Sequence, residues 1–239
     1  MTHHPRTLLL SLFAAAACVA AETPGDPWAA LDQEARTAAV NEGPLRLLTE
    51  EAAAGTHVHE NRIRIEPQSL GDGWVRLDQC HRDLDPVPAA EVVFRPGHIR
   101  NLQVTRSEGI GRAWVLGHSV QMEEVGPDAL LCIRAESLAL QDLGEGRYRL
   151  RTGPYMRRFL DGYYPMHLAL QIEHPPTLRL MAQYPQPHPG FRVTVAEGRV
   201  DAETNFEGRL FTCFDFCTQG QETCAPIDLP CDPMDGGVP

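Results

Sequence analysis

The chain reads as a mainly β protein, an antiparallel β-sandwich of one large or two small units behind a short N-terminal helical arm. Three observations predict this. Apolar and polar residues alternate at a period of two from about residue 56 to 217, the alternating runs are short and broken by Gly, Pro and Asp turns, and no helical stretch separates them. Parallel sheets need helical crossovers, so the missing helices point to mostly antiparallel pairing and two sheets packed face to face.

Residues 1–21 carry Arg6 in a polar start, then the apolar run Leu8 to Val19, then small residues before Glu22. A run this short, ending in an Ala-x-Ala-like site, predicts a secretory signal peptide and no transmembrane span. The expected location is periplasmic or secreted. Ala15-Ala16-Ala17 before Cys18 loosely resembles a lipobox, so a membrane-anchored lipoprotein with a lipid anchor at Cys18 is the competing reading. Ala15 counts against it, standing where such motifs carry a large aliphatic residue.

Residues 22–55 form the expected helical arm. Trp28, Leu31, Ala35 and Ala38 recur at helical spacing after Pro27, Gly43-Pro44 breaks the run, and Leu45, Leu48 and Ala52 resume it. The β region then spans 56–217. Its alternating runs include Ile63/Ile65, Val75/Leu77, Val92/Phe94, Leu102/Val104, Trp114 to Met122, Leu131/Ile133, Tyr148/Leu150, Leu168 to Ile172, Leu178/Leu180, Val193/Val195 and Leu210 to Phe216. Pro154 and Gly162-Tyr163-Tyr164-Pro165 interrupt the rhythm, placing a seam at 153–165. The seam divides two domains or forms a long connection within one sandwich.

Seven cysteines are present, and six follow the leader. An even thiol count behind a secretory leader predicts disulfides, and residues 218–239 read as a disulfide-bonded tail. Cys213 and Cys217 share a predicted strand, where four residues cover about 13 Å, too far for a bond between them. A hairpin-like return would nest Cys217 with Cys224 inside Cys213 with Cys231, leaving Cys80 and Cys132 to join two strands, one of the fifteen pairings that six thiols allow and among which sequence alone does not choose. The tail lacks the Cys-x-x-Cys pairs that structural zinc sites favour.

Composition excludes several functions. The formal net charge is -11, which disfavours a phosphate backbone as partner, so no nucleic acid is expected. All 21 basic residues are arginine, so Schiff-base and P-loop lysine chemistry is impossible. Gly117-His118-Ser119-Val120-Gln121 departs from a nucleophile elbow at Gln121 and is followed by another strand, so Ser119 reads as an ordinary strand residue. His118, among Trp114, Leu116 and Val120, reads as a core histidine.

Two candidate sites remain. Arg147, Arg149, Arg151, Arg157 and Arg158 lie with Tyr155 in a stretch that has no acid between Glu145 and Asp161, and Arg147, Arg149 and Arg151 share one strand face. Guanidinium groups beside tyrosines can grip carboxylates, phosphates or a protein. The function this predicts is an exported, non-catalytic binding or assembly module, with no cofactor, whose partner is a protein or anionic ligand at the cell envelope. The alternative is a periplasmic copper- or zinc-binding protein. His57 and His59 form a His-x-His whose imidazoles fall on one strand face with Ile63 and Ile65, as two ligands of one ion can.

Overall fold

The computed structural model describes residues 43–220 together with Cys224, Pro230 and Cys231. The expected signal peptide, the Cys18 anchor and the first helix of the arm lie outside the described residues.

The strands follow the predicted alternation. In chain order they are β1 (Arg46–Leu48), β2 (Val58–Arg64), β3 (Trp74–Leu84), β4 (Val87–Val93), β5 (Ile99–Leu116), β6 (Ser119–Leu138), β7 (Leu140–Asp142), β8 (Arg147–Tyr155), β9 (Arg157–Phe159), β10 (Gly162–Tyr164), β11 (Met166–Glu173), β12 (Leu178–Tyr184), β13 (Phe191–Ala196), β14 (Arg199–Glu207) and β15 (Leu210–Thr218). One short helix, α1 (Ser69–Asp72), joins β2 to β3. Arg46–Leu48 corrects the expectation of a second helix over Leu45 to Ala52. After the Gly43-Pro44 break the remaining run is too short to nucleate a helix, and the edge of β14 offers ladder bonds instead, with Leu47 opposite Phe206.

A nine-stranded sheet runs β1-β14-β11-β2-β3-β6-β4, with β13 on the outer edge of β14 and β5 on the outer edge of β6. A four-stranded sheet runs β12-β15-β8-β7. β2 is parallel to β11, and the other ladders among the described residues are antiparallel. The two sheets pack as a sandwich: Ile63, Leu77, Leu168, Ile172 and Phe206 from the larger meet Leu150, Leu178, Phe214 and Phe216 from the smaller. Residues 153–165 cross from β8 in the small sheet to β11 in the large one, so the seam is a connection within one sandwich.

β5 and β6 extend the large sheet as a hairpin of 18 and 20 residues. Its turn is Gly117-His118, with Gly117 at φ +60, the left-handed region that glycine enters freely. His118 is exposed in that turn, which corrects its expected place in the core. The turn sequence ends the amphipathic run two residues before Val120 resumes it. β6 changes partner from β3 to β4 between Ala129 and Val125, and the sheet there encloses a second apolar cluster around Met122, Leu131 and Ile133.

The disulfides are Cys80–Cys132, Cys213–Cys231 and Cys217–Cys224, the nested pairing of a hairpin-like return. Cys80 lies directly opposite Cys132 across β3 and β6.

Candidate functional site

Apart from Thr204, the inner face of the large sheet is apolar around one polar block. β2 continues upward from Ile63 with Asn61 and His59, and β3 from Leu77 with Gln79 and His81. Register sets His59 opposite His81 and Asn61 opposite Gln79. Leu168 of β11 flanks His59, and Leu131 of β6 flanks His81. In sheet order the polar block therefore separates the two apolar clusters. His57 completes it just ahead of β2, and Tyr155 closes it from the small sheet. These six side chains are at most 7% exposed.

Groups buried this deeply must satisfy one another. His59 Nε2–H donates to Asn61 Oδ1 at 3.1 Å, and Asn61 Nδ2 donates to the Tyr155 hydroxyl at 2.9 Å. The chain of bonds leaves His59 with its proton on Nε2 and its lone pair on Nδ1. His57 Nε2 lies 3.0 Å from His81 Nδ1, and the other ring nitrogen of His81 lies 2.5 Å from the Gln79 amide nitrogen. The ring centroids of His57 and His59 are 5.2 and 4.3 Å from that of His81, and Tyr155 meets the His59 ring edge-on at 5.0 Å.

Burial removes charge from the block. Desolvation, helped by the Arg157 charge, lowers His57 to about 4. Desolvation and the neighbouring His57 lower His59 to about 3, and desolvation with both neighbours holds His81 well below its ordinary value. Burial pushes Tyr155 up to about 12. At neutral pH the three imidazoles are uncharged, the form in which histidine ligates metals. Among the described residues no three His, Cys, Asp or Glu side chains already converge on one point where an ion could sit.

The arginines are dispersed into separate structures. Arg147, Arg149 and Arg151 on β8 lie opposite Cys217, Asp215 and Cys213 on β15, on the outer face of the small sheet. Pro230 and Cys231 reach that face. Arg149 is buried, donating from Nε and Nη2 to Asp215 at 2.7 and 2.9 Å, and Arg151 donates to the Cys231 carbonyl at 2.9 Å. Arg147 sits 3.4 Å from Glu145. Arg157 holds Asp85, and Tyr155 belongs to the interior block. Arg158 stays exposed, 5.7 Å from the Tyr163 ring centroid on the β9–β10 hairpin.

The alternation put His57 and His59 on the same face as Ile63 and Ile65, and all four are buried there. The membership of Asn61, Gln79 and Tyr155 went unread. Their only sequence signal is a polar residue where the alternation calls for an apolar one.

Comparisons with known proteins add little. No family model matches the chain, and no curated protein matches it. Among solved structures it is similar to an M1 zinc metallopeptidase from Deinococcus radiodurans bound to a Tyr-Ser-Ala substrate, at 11% identity and a TM-score of 0.37, covering 73% of this chain and 43% of that one. A two-domain M1 zinc metallopeptidase bound to L-tryptophan is similar at 10% identity and a TM-score of 0.37, covering 73% and 44%. This chain thus spans less than half the length of either, and likenesses of this size carry no argument about what it does.

Proposed function

We propose that the chain is an exported β-sandwich protein that binds a copper or zinc ion in the block formed by His57, His59 and His81. The observation that carries the reading is the approach of His57 Nε2 to His81 Nδ1 at 3.0 Å inside an uncharged, buried cluster. A tetrahedral ion with bonds of about 2.0–2.1 Å to nitrogen separates two ligating atoms by about 3.3–3.4 Å, so the pair stands close to ligating distance. Asn61 and Gln79 act as the outer partners that metal-bound histidines require, each holding one ring nitrogen and thereby orienting the other. Turning the Gln79 amide lets it accept from His81 Nε2–H and frees the Nδ1 lone pair toward His57. The three disulfides fit maturation in an oxidising compartment, where export delivers a protein.

The test is titration of chelator-treated full-length protein with zinc and with copper, followed by calorimetry and thermal unfolding. One equivalent should bind, and excess ion should raise the melting temperature by several degrees, since occupancy at about 100 times Kd contributes about 2.7 kcal/mol. His81→Gln and His57→Gln should each abolish the rise. A wild-type protein that neither binds nor shifts with either ion removes the reading.

The binding-module reading keeps a smaller surface. It rests on the β9–β10 hairpin, where Arg158 stands over Tyr163 and Leu160 at the tip is wholly exposed.

A further inference from the structure

The β9–β10 hairpin is a two-stranded sheet of its own with a fixed base. At that base Arg157 Nε donates to Asp85 Oδ2 at 2.8 Å, its Nη2 donates to Asp85 Oδ1, and its Nη1 donates to the Pro165 carbonyl at 3.0 Å. Phe159 meets Tyr164 edge-on, with centroids 5.3 Å apart. On the other face Tyr163 lies opposite Arg158 and packs beside Gly43, where an added Cβ would come within 3.3 Å of the ring and 3.4 Å of Arg209 Nε. Phe159 pairs with Gly162, so Leu160 and Asp161 make the turn. Leu160 is the most exposed large apolar side chain among the described residues, at 110% against 61% for Leu116. Turns favour Gly, Asn and Asp for their backbone freedom, and leucine has no such reason to stand there.

We infer that this hairpin docks on an anionic phospholipid surface, with Leu160 entering the headgroup boundary, Tyr163 and Tyr164 at headgroup level, and Arg158 and Arg209 on lipid phosphates. The inference rests on the binding-surface reading above and names its partner. Arg158 and Arg209 are both exposed and stand outside the ion pairs that hold Arg46, Arg64, Arg149 and Arg157. Asp161, the acid at the turn, accepts from the Tyr164 hydroxyl at 2.7 Å. This end thus carries an excess of positive charge on a chain whose formal net charge is -11. Acidic groups farther than about 8 Å away are screened at physiological salt, so the overall balance does not govern the tip.

The order of groups favours a lipid over a protein. An apolar apex, tyrosine rings behind it and guanidinium groups behind those match the hydrocarbon, interface and phosphate levels of a bilayer. A stable protein interface takes about 20–30 residues from each partner, far more than residues 157–164 supply. The path of the chain points the same way. Gly43, where the described structure begins, accepts from the Arg209 amide at 3.1 Å and lies beside Tyr163, so the preceding residues leave the body at this end. A lipid carried at Cys18 would hold this end toward the bilayer, and one anchor with one docking surface is the combination that stable attachment takes.

The experiment is co-sedimentation of full-length, oxidised protein with vesicles of phosphatidylethanolamine and phosphatidylglycerol, and with vesicles of phosphatidylcholine alone, after circular dichroism confirms the fold of each variant. Any affinity of the apolar leader is common to all variants, so the readout is the ratio to wild type. Leu160→Ser should weaken partitioning about tenfold on both vesicles. Arg158→Gln and Arg209→Gln should each weaken it about fivefold on the anionic vesicles alone. Val195→Ser, which removes an exposed apolar side chain from β13, should leave it unchanged. Leu160→Trp should gain a blue-shifted emission that brominated lipid quenches. Partitioning that neither Leu160→Ser nor Arg158→Gln changes, with the Leu160→Trp emission unquenched, overturns the inference. Capture of an oligoglutamate peptide without vesicle binding overturns it too and leaves the hairpin as a surface for acidic protein. Binding of neither probe removes the surface reading with it.

Discussion

Arg149 and Asp215 form a bidentate ion pair on the outer face of the small sheet, with side chains only 7% and 8% exposed, and Arg149 Nη1 also donates to the Pro230 carbonyl at 3.5 Å. A pair this deeply buried behaves differently from a surface salt bridge. Removing one partner strands the other charge away from water. Asp215→Ala should therefore destabilise the protein by about 3–5 kcal/mol, and Arg149→Glu should do at least the same. Urea unfolding measures both, and a loss below about 1 kcal/mol would mean the pair is solvated in solution.

The histidine block makes stability depend on pH in the chelator-treated protein. His57 and His59 stay neutral when folded until about 4 and about 3, whereas the unfolded chain protonates them near 6.5. Below that value the unfolded state binds more protons, so stability is complete above about 6.5 and is lost as the pH falls toward 4. Each histidine contributes a slope approaching about 1.4 kcal/mol per pH unit in that window. Urea midpoints at pH 7.5, 6 and 5 should fall in that order, and His57→Gln should flatten the trend. A midpoint independent of pH over this range would show that the imidazoles are solvated.

The hairpin surface has a separate prediction. If Arg158 and Tyr163 grip an anionic partner, a fluorescent oligoglutamate peptide should bind the wild type, and Arg158→Glu should abolish the binding while shifting the melting temperature by less than about 1 °C. Absence of peptide binding by the wild type, or equal binding by the variant, removes this surface. Arg158 is exposed and pairs only loosely with an aromatic ring, so little stability rides on it.

Much of the fold was legible because β structure writes itself into sequence at a period of two. The alternation at Ile63/Ile65, Val75/Leu77 and Leu168/Leu170/Ile172 put these residues on the face they occupy in the core. Part of the cysteine pairing was legible for a different reason. A strand separates Cys213 from Cys217 too far for a bond, and each indeed takes another partner, whereas the choice among the remaining pairings was left to the tertiary structure. The arm was misread at Leu45–Leu48, because an open edge on β14 outweighed local spacing.

The arginine surface shows where such reading stops. Arg149, Arg157 and Arg158 look alike in sequence, yet one is buried against Asp215, one holds Asp85 and one is exposed. Their partners lie 66 and 72 residues away along the chain, beyond any local pattern.

By itself the sequence determined the β class, the face of each core strand and that Cys213 and Cys217 take separate partners, since all three depend on distances within a strand. Tertiary structure alone decided that His81 joins His57 and His59, that Arg157 pairs with Asp85, and that Pro230 and Cys231 reach Arg149 and Arg151. Those contacts are set by the register of β2 against β3, a bulge after His81 and the crossing from one sheet to the other. Each is a long-range choice whose free energy comes from packing the whole sandwich.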